Sequence, residues 1–197
     1  MAGLEQAHTC SASVVKSPNR DLVITAAHCI VGSGAGVQFV PGYHGGEAPY
    51  GVWTATHAYV DPSWTSRQDP RHDVAFLKIQ RQRHGGHSIG IEDVVGGNVL
   101  GIAPAGGTRV SLPAYPSGIN DDPINCRNSI YRTDGYPTFD CHFYFDGTSG
   151  GPFLQSVGLG RVRVVVDISR SRDAAGPIHM PPPHRCARPR PSCRSPR

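Results

Sequence analysis

The octapeptide Asp146-Gly147-Thr148-Ser149-Gly150-Gly151-Pro152-Phe153 sets a serine hydroxyl among glycines, a composition that lets backbone N–H groups crowd a reacting carbonyl. Two upstream segments carry the groups such a hydroxyl needs. Thr25-Ala26-Ala27-His28-Cys29 ends an apolar run, and Asp73-Val74-Ala75-Phe76-Leu77-Lys78-Ile79 opens a strand-like stretch with an acid. A serine hydroxyl is too weakly acidic to react unaided near neutral pH. Imidazole titrates there and can take and return the proton, and a carboxylate can fix its tautomer. The chain order His28, Asp73, Ser149, with 45 positions between the first two, is one of the known orders of a hydrolytic triad.

Taken singly, each signal has a bland explanation. A histidine before a cysteine at a strand end is usually structural, a strand-opening Asp is usually a turn cap, and Gly-x-Ser-x-Gly recurs by chance. Their joint order and flanks favour catalysis. Gly147 to Gly151 also fits the nucleophile elbow of α/β-hydrolases, but that fold places a helix, an acid and a histidine after the serine. Only 48 residues follow Ser149, with no helical period, so that fold is set aside.

In these three segments the chain resembles the trypsin/chymotrypsin-like serine peptidases, and among them the bacterial secreted branch. The resemblance runs from about Cys10 to about Val166. It implies an all-β fold of two antiparallel, six-stranded-type β-barrels, the second incomplete if the C-terminal segment does not supply its last strands. It also implies a serine endopeptidase working through an acyl-enzyme: Ser149 as nucleophile, His28 as general base, Asp73 as its orienting partner, and the Gly147 and Ser149 N–H groups as the oxyanion hole. The resemblance places a disulfide between Cys10 and Cys29, and Cys126 with Cys141 is the expected second pair, the alternative being four buried thiols. By the same resemblance, Phe143, Tyr144, Phe145 and Asp146 are expected to line the substrate pocket. Trypsin-type enzymes carry an Asp six residues before the serine; here Phe143 stands there, so cleavage after Lys or Arg is unsupported. Animal members precede the serine with an Asp that pairs with a new N-terminal ammonium; here Thr148 does, so that activation is not expected. The competing expectation is a non-catalytic protein, either an inactive fragment or a binding module.

At 197 residues the chain suits one globular unit or two packed halves. Its net charge of +4 sits in the tail: residues 169–197 hold seven Arg and one Asp, leaving twelve Lys+Arg against fourteen Asp+Glu before them. The globular part is therefore not basic, and no nucleic-acid partner is expected. Six cysteines fit an oxidising compartment, and with the resemblance they lead to the expectation of a secreted location, although residues 1–6 carry neither the basic nor the apolar part of a leader; a monomer is expected. No apolar run reaches the roughly 18 residues of a membrane span. No cofactor is implied. Histidines cluster at His84-Gly85-Gly86-His87, at His142 beside Cys141, and at His179 and His184 near Cys186 and Cys193, none with zinc spacing, so no metal is expected.

With 24 Gly and 18 Pro, short strands joined by turns are expected rather than helices. Strand-like stretches run over 13–16, 22–26, 37–40, 52–60, 74–79, 109–114, 139–145 and 162–168. Alternation such as Val162, Val164 and Val166 against their neighbours supports them. The division predicted is a first barrel over 1–82, a Gly-rich connector over 83–97, a second barrel over 98–168 and an Arg/Pro-rich, disordered tail over 169–197. Against the family, the start at Met1 is expected to be truncated. The abrupt Arg/Pro/Ser bias after Ile168 is what an out-of-frame reading of a GC-rich gene produces. Translating the other two frames of the coding DNA past Ile168 checks this: a Gly-Gly-containing strand is expected in one of them, and its absence from both rules the frameshift out.

Overall fold

A computed structural model describes residues 8–102, 104–117, 122–133, 136–138, 140–156 and 162–167. The chain is mostly β. Along it run β1 (Ser13–Val15), β2 (Leu22–Thr25), β3 (Gln38–Phe39), β4 (Trp53–Val60), α1 (Pro62–Arg67), β5 (Ala75–Ile79), β6 (Gln82–His84) and β7 (His87–Ile89). There follow α2 (Ile91–Val95), β8 (Val99–Leu100), β9 (Arg109–Ala114), β10 (Ile124–Ser129), β11 (Tyr131–Thr133), β12 (Tyr136–Thr138), β13 (Pro152–Ser156) and β14 (Val162–Asp167).

Two five-stranded sheets carry the fold, ordered β1-β2-β5-β4-β3 and β10-β9-β13-β14-β8. In the first, β5 alternates as the sequence predicts, with Ala75, Leu77 and Ile79 buried and Lys78 exposed. β4 would lose that match over eight residues. A register shift between Ala55 and His57 against β5 inserts one residue, so Trp53 and Ala55 before it and Ala58 after it all reach the core. They pack there with Val14, Val23, Leu77, Ile79 and Ile91.

The second sheet has its own cluster of Val110, Leu112, Ala114, Ile130, Tyr144 and Phe153, closed on one side by Cys126 and Cys141. A third cluster joins the two, because Leu154 of β13 packs, as Val74 and Phe76 do, against the buried pair Val15 and Ile24. Asn98 adds a polar tie: its N–H donates to the Val14 carbonyl at 2.9 Å and its carbonyl accepts from Lys16 N–H at 2.8 Å.

Several elements depart from the sequence-based expectation. Residues 139–145 were expected to form a strand; from Asp140 to Phe145 they do not. Phe143 sits at φ +65°, a left-handed backbone that a ladder cannot continue. β10 was not anticipated because its residues, Ile-Asn-Cys-Arg-Asn-Ser, give no apolar run, although they alternate between half-buried and exposed. Two short helices appear where none was expected. In α1, the Asp61 side chain accepts from Ser63 N–H and Pro62 opens the first turn, so local capping rather than an amphipathic period defines it. Within the expected connector, Gly85 and Gly86 take φ +56° and +84° as the two-residue turn between β6 and β7, in which His84 pairs with His87. The His-Gly-Gly-His run is therefore a hairpin, and its glycines answer to turn geometry.

Tyr144 generates a prediction about alkaline stability. Burial pushes its phenol up to about 12, and its hydroxyl donates to the Leu112 carbonyl. The unfolded chain therefore loses this proton at lower pH than the folded one, and stability should fall as pH rises from about 10 toward 12. In chemical denaturation across that window, Tyr144→Phe should lose less stability than the parent; an identical decline in both would contradict the assignment.

Candidate active site

His28 stands at the end of β2, in a 3-10 turn over Ala27–Cys29, where the chain leaves the sheet and its side chain becomes partly exposed. Cys29 beside it is joined to Cys10, the half-cystines 19 residues apart, and a loop of that length is stabilised by about 3 kcal/mol in the chain-entropy account. Asp73 is placed by another turn, Pro70–His72, whose start is capped by Asp69 accepting from Arg71 N–H. The two meet. Asp73 is 2% exposed, and both its oxygens are spent on one residue: Oδ1 accepts the His28 backbone N–H at 2.8 Å and Oδ2 lies 2.8 Å from Nδ1 of the ring. A carboxylate offers only acceptors, so Nδ1 carries the hydrogen, and in the neutral ring the lone pair is then on Nε2. A buried acid without such partners would be costly; here the histidine satisfies it and is oriented by it.

Ser149 is buried and fixed through its backbone, its carbonyl accepting Ser11 N–H at 2.7 Å. Among the described residues no hydrogen bond joins its hydroxyl to the His28 ring; such bonds often tighten only when substrate is bound. Gly150 explains how near this loop lies to the histidine strand. It adopts φ +82°, and a Cβ there would fall 2.2 Å from the Ser11 carbonyl oxygen and 2.3 Å from Thr25 Oγ1. No side chain fits between the two sheets at that point.

The peptides around Ser149 are locked by their carbonyls. The Asp146 carbonyl accepts Ser117 N–H at 2.6 Å and the Thr148 carbonyl accepts Gly151 N–H at 3.1 Å. In a trans peptide the N–H points opposite to the carbonyl, so these bonds turn the Gly147 and Ser149 N–H groups away from the loop's own acceptors. Among the described hydrogen bonds neither donates within the protein. Gly147 itself is at φ +92°, with Ser117 Oγ 2.5 Å from where a Cβ would stand. Thr148, fully buried, closes the turn through its own hydroxyl, which donates to the Phe145 carbonyl at 2.8 Å. A neutral side chain thus does here the structural work of holding the loop.

Of the residues expected to line the substrate pocket, Tyr144 lies in the second sheet's core at 4% exposure. Phe143, Phe145 and Asp146 are exposed, and the two phenyl rings meet edge-on with centroids 6.3 Å apart. The expected disulfides are both present, Cys10–Cys29 and Cys126–Cys141. Cys10, Cys29 and His28 bring possible metal-binding atoms within 4.8 Å of one another, but both sulfurs are consumed in the disulfide. Cys186, Cys193 and the tail fall outside the described residues. Sequence reasoning missed Trp64, whose ring lies 6.5 Å from that of His28, and Ser11, Thr25 and Ser117 around the loop. The Asp61-Pro62-Ser63 capping signal could have placed Trp64 on a helix; nothing local marks the other three.

Residues 10–162 match the family model described as trypsin-like peptidase domain. Among solved structures, the chain is similar to the protease Anisep from Arthrobacter nicotinovorans, at 27% identity and a TM-score of 0.64 over 78% of this chain and 74% of that one. It is similar to the thermostable serine protease AL20 from an extremophilic microorganism, at 27% identity and a TM-score of 0.65 over 77% and 74%. A Glu endopeptidase shares the fold at 18% identity and a TM-score of 0.55, over 79% of this chain and 78% of that one. No curated protein matches the chain.

Gly150→Ala tests the close approach of loop and histidine strand. Both the positive φ and the contact forbid the methyl group, so a loss of several kcal/mol, read as a drop in melting temperature of about 10 °C or more, is expected. A melting temperature within 2 °C of the parent's, roughly the shift from half a kcal/mol, would contradict the packing.

Proposed function

The chain belongs to the trypsin-like peptidase family, and from that premise we propose that it is a serine endopeptidase using His28, Asp73 and Ser149. The observation carrying this is the pair of 2.8 Å contacts by which buried Asp73 grips His28, leaving Nε2 as the base. Ser149 Oγ attacks a peptide carbonyl as His28 takes its proton. The tetrahedral oxyanion is met by the Gly147 and Ser149 N–H groups. His28 then protonates the departing amine, and water, activated by the same ring, releases the acyl group.

The cleft lies where the two barrels meet, the first supplying His28 and Asp73 and the second Ser149, with residues 83–97 between them. Oxyanion-hole donors act strongly only when already aimed, and the carbonyl locks described above support such aim. Phe143 at 68% exposure, where trypsin-type enzymes carry an acid, supports an aromatic pocket rim, with Asp146 exposed three residues on. The substrate is a protein or peptide held outside the cell by a monomer, a setting with which two disulfides agree. No described helix is long and apolar enough to cross a membrane.

An inactive member of the family is the second reading, favoured by the absence of a described hydrogen bond between Ser149 and His28. A fluorophosphonate probe separates the two. Labelling of the folded protein is expected at Ser149 and should vanish in Ser149→Ala, while Asp73→Asn should lower turnover by about 10,000-fold. A folded parent that takes up no probe would favour the inactive reading.

A further inference from the structure

Ser11 is 4% exposed and every polar atom it owns is engaged. Its hydroxyl donates to the Gly147 carbonyl at 2.9 Å and accepts Tyr115 N–H at 2.8 Å. Its N–H donates to the Ser149 carbonyl at 2.7 Å, and its carbonyl accepts from Thr25 Oγ1 at 2.8 Å. The preceding residue is Cys10, bonded to Cys29 beside His28. One residue therefore spans from the strand that delivers the histidine to the loop that delivers the serine.

We propose that the Ser11 hydroxyl is a positioning group for the oxyanion loop. This rests on the peptidase reading above. The peptide from Gly147 to Thr148 is held at both ends, its carbonyl by Ser11 Oγ and its N–H by the Phe145 carbonyl at 3.2 Å. It lies between the two peptides whose N–H groups meet the oxyanion. If it rotates, both donors move with it, because the three planes share Gly147 and Thr148 as their joints. By also holding Tyr115 N–H, the same hydroxyl ties this peptide to the segment whose Ser117 N–H fixes the Asp146 carbonyl. Without the hydroxyl, the Gly147 carbonyl and Tyr115 N–H lose a shared partner in a buried place, and glycine at φ +92° leaves the peptide free to turn.

The test compares the full chain with Ser11→Ala and Ser11→Thr, and with Ser111→Ala, whose hydroxyl donates to Asn125 Oδ1 at the surface and makes no other hydrogen bond among the described residues, as control. Two readouts are taken at a temperature where near-ultraviolet circular dichroism shows each protein folded. In turnover of a short chromogenic peptide, Ser11→Ala should lower kcat about 100-fold with KM within about twofold, the size of effect that small misplacements of catalytic groups produce. Ser11→Thr, which keeps a hydroxyl, should recover most of it. In amide hydrogen exchange, Thr148, Gly151 and Ser117 should exchange about 10-fold faster in Ser11→Ala, against roughly that factor per 1.4 kcal/mol of local opening, while Ser111→Ala matches the parent. If Ser11→Ala does not fold, Ser11→Cys, nearly the same size and a weaker hydrogen-bonding group, replaces it with the same readouts in reduced size. A folded variant with kcat within twofold and unchanged exchange overturns the proposal. Should the folded parent show no turnover, the peptidase reading fails, and the exchange comparison still decides what Ser11 holds.

Discussion

Residues 10 and 11 keep the two sheets in one relation. Cys10 is covalently tied to the turn of His28, and Ser11, the next residue, gives its N–H to the Ser149 carbonyl and its carbonyl to Thr25. Opposite them, Gly150 presses so close that a methyl group would meet oxygen at 2.2 Å. A seam built this way leaves little room for relative sliding: sheet packing through Leu154 supplies contact area, but apolar contact alone is non-directional. Hydrogen bonds and the disulfide provide the direction. The serine loop is thus held against the histidine strand by backbone anchoring, while His28 and Asp73 are joined by their own side-chain contact.

Asp73 exemplifies how such a scaffold handles charge. Its burial would be unfavourable in isolation, and its two oxygens find donors on one neighbour, backbone and ring together. That double contact orients the ring twice over, once through the chain and once through Nδ1. The serine loop uses a different method. Its carbonyls are held by Ser117, Gly151 and Ser11, and Thr148 closes its turn with a hydroxyl. Among the described residues these holds are hydrogen bonds between neutral groups.

How much of this could be read in the sequence depended on whether the signal was local. The three segments around His28, Asp73 and Ser149 are short and compositionally distinctive, and with them came the all-β fold and the two disulfides. The strands with clear alternation, such as β5, were legible because each residue's burial follows from a period of two. β10 was not, since the residues it turns inward are only half-buried and four of its six are polar. The stretch 139–145 misled because an aromatic-rich run resembles a strand; in fact Tyr144 anchors in the core while Phe143, at φ +65°, turns the chain toward the serine. Ser11 and Thr25 were illegible in principle. They act at separations of up to 136 residues, and a lone serine or threonine carries no mark of the partner it will meet.

The most direct examination of the account is to mix the folded protein with a short peptide ester carrying a good leaving group, quench in acid within milliseconds to seconds, and weigh the intact chain. A mass increase equal to the acyl group, mapped to Ser149, rising and then decaying as the ester is consumed, is the predicted result. Ester consumed with no adduct on Ser149, or an adduct mapped to another residue, would contradict it.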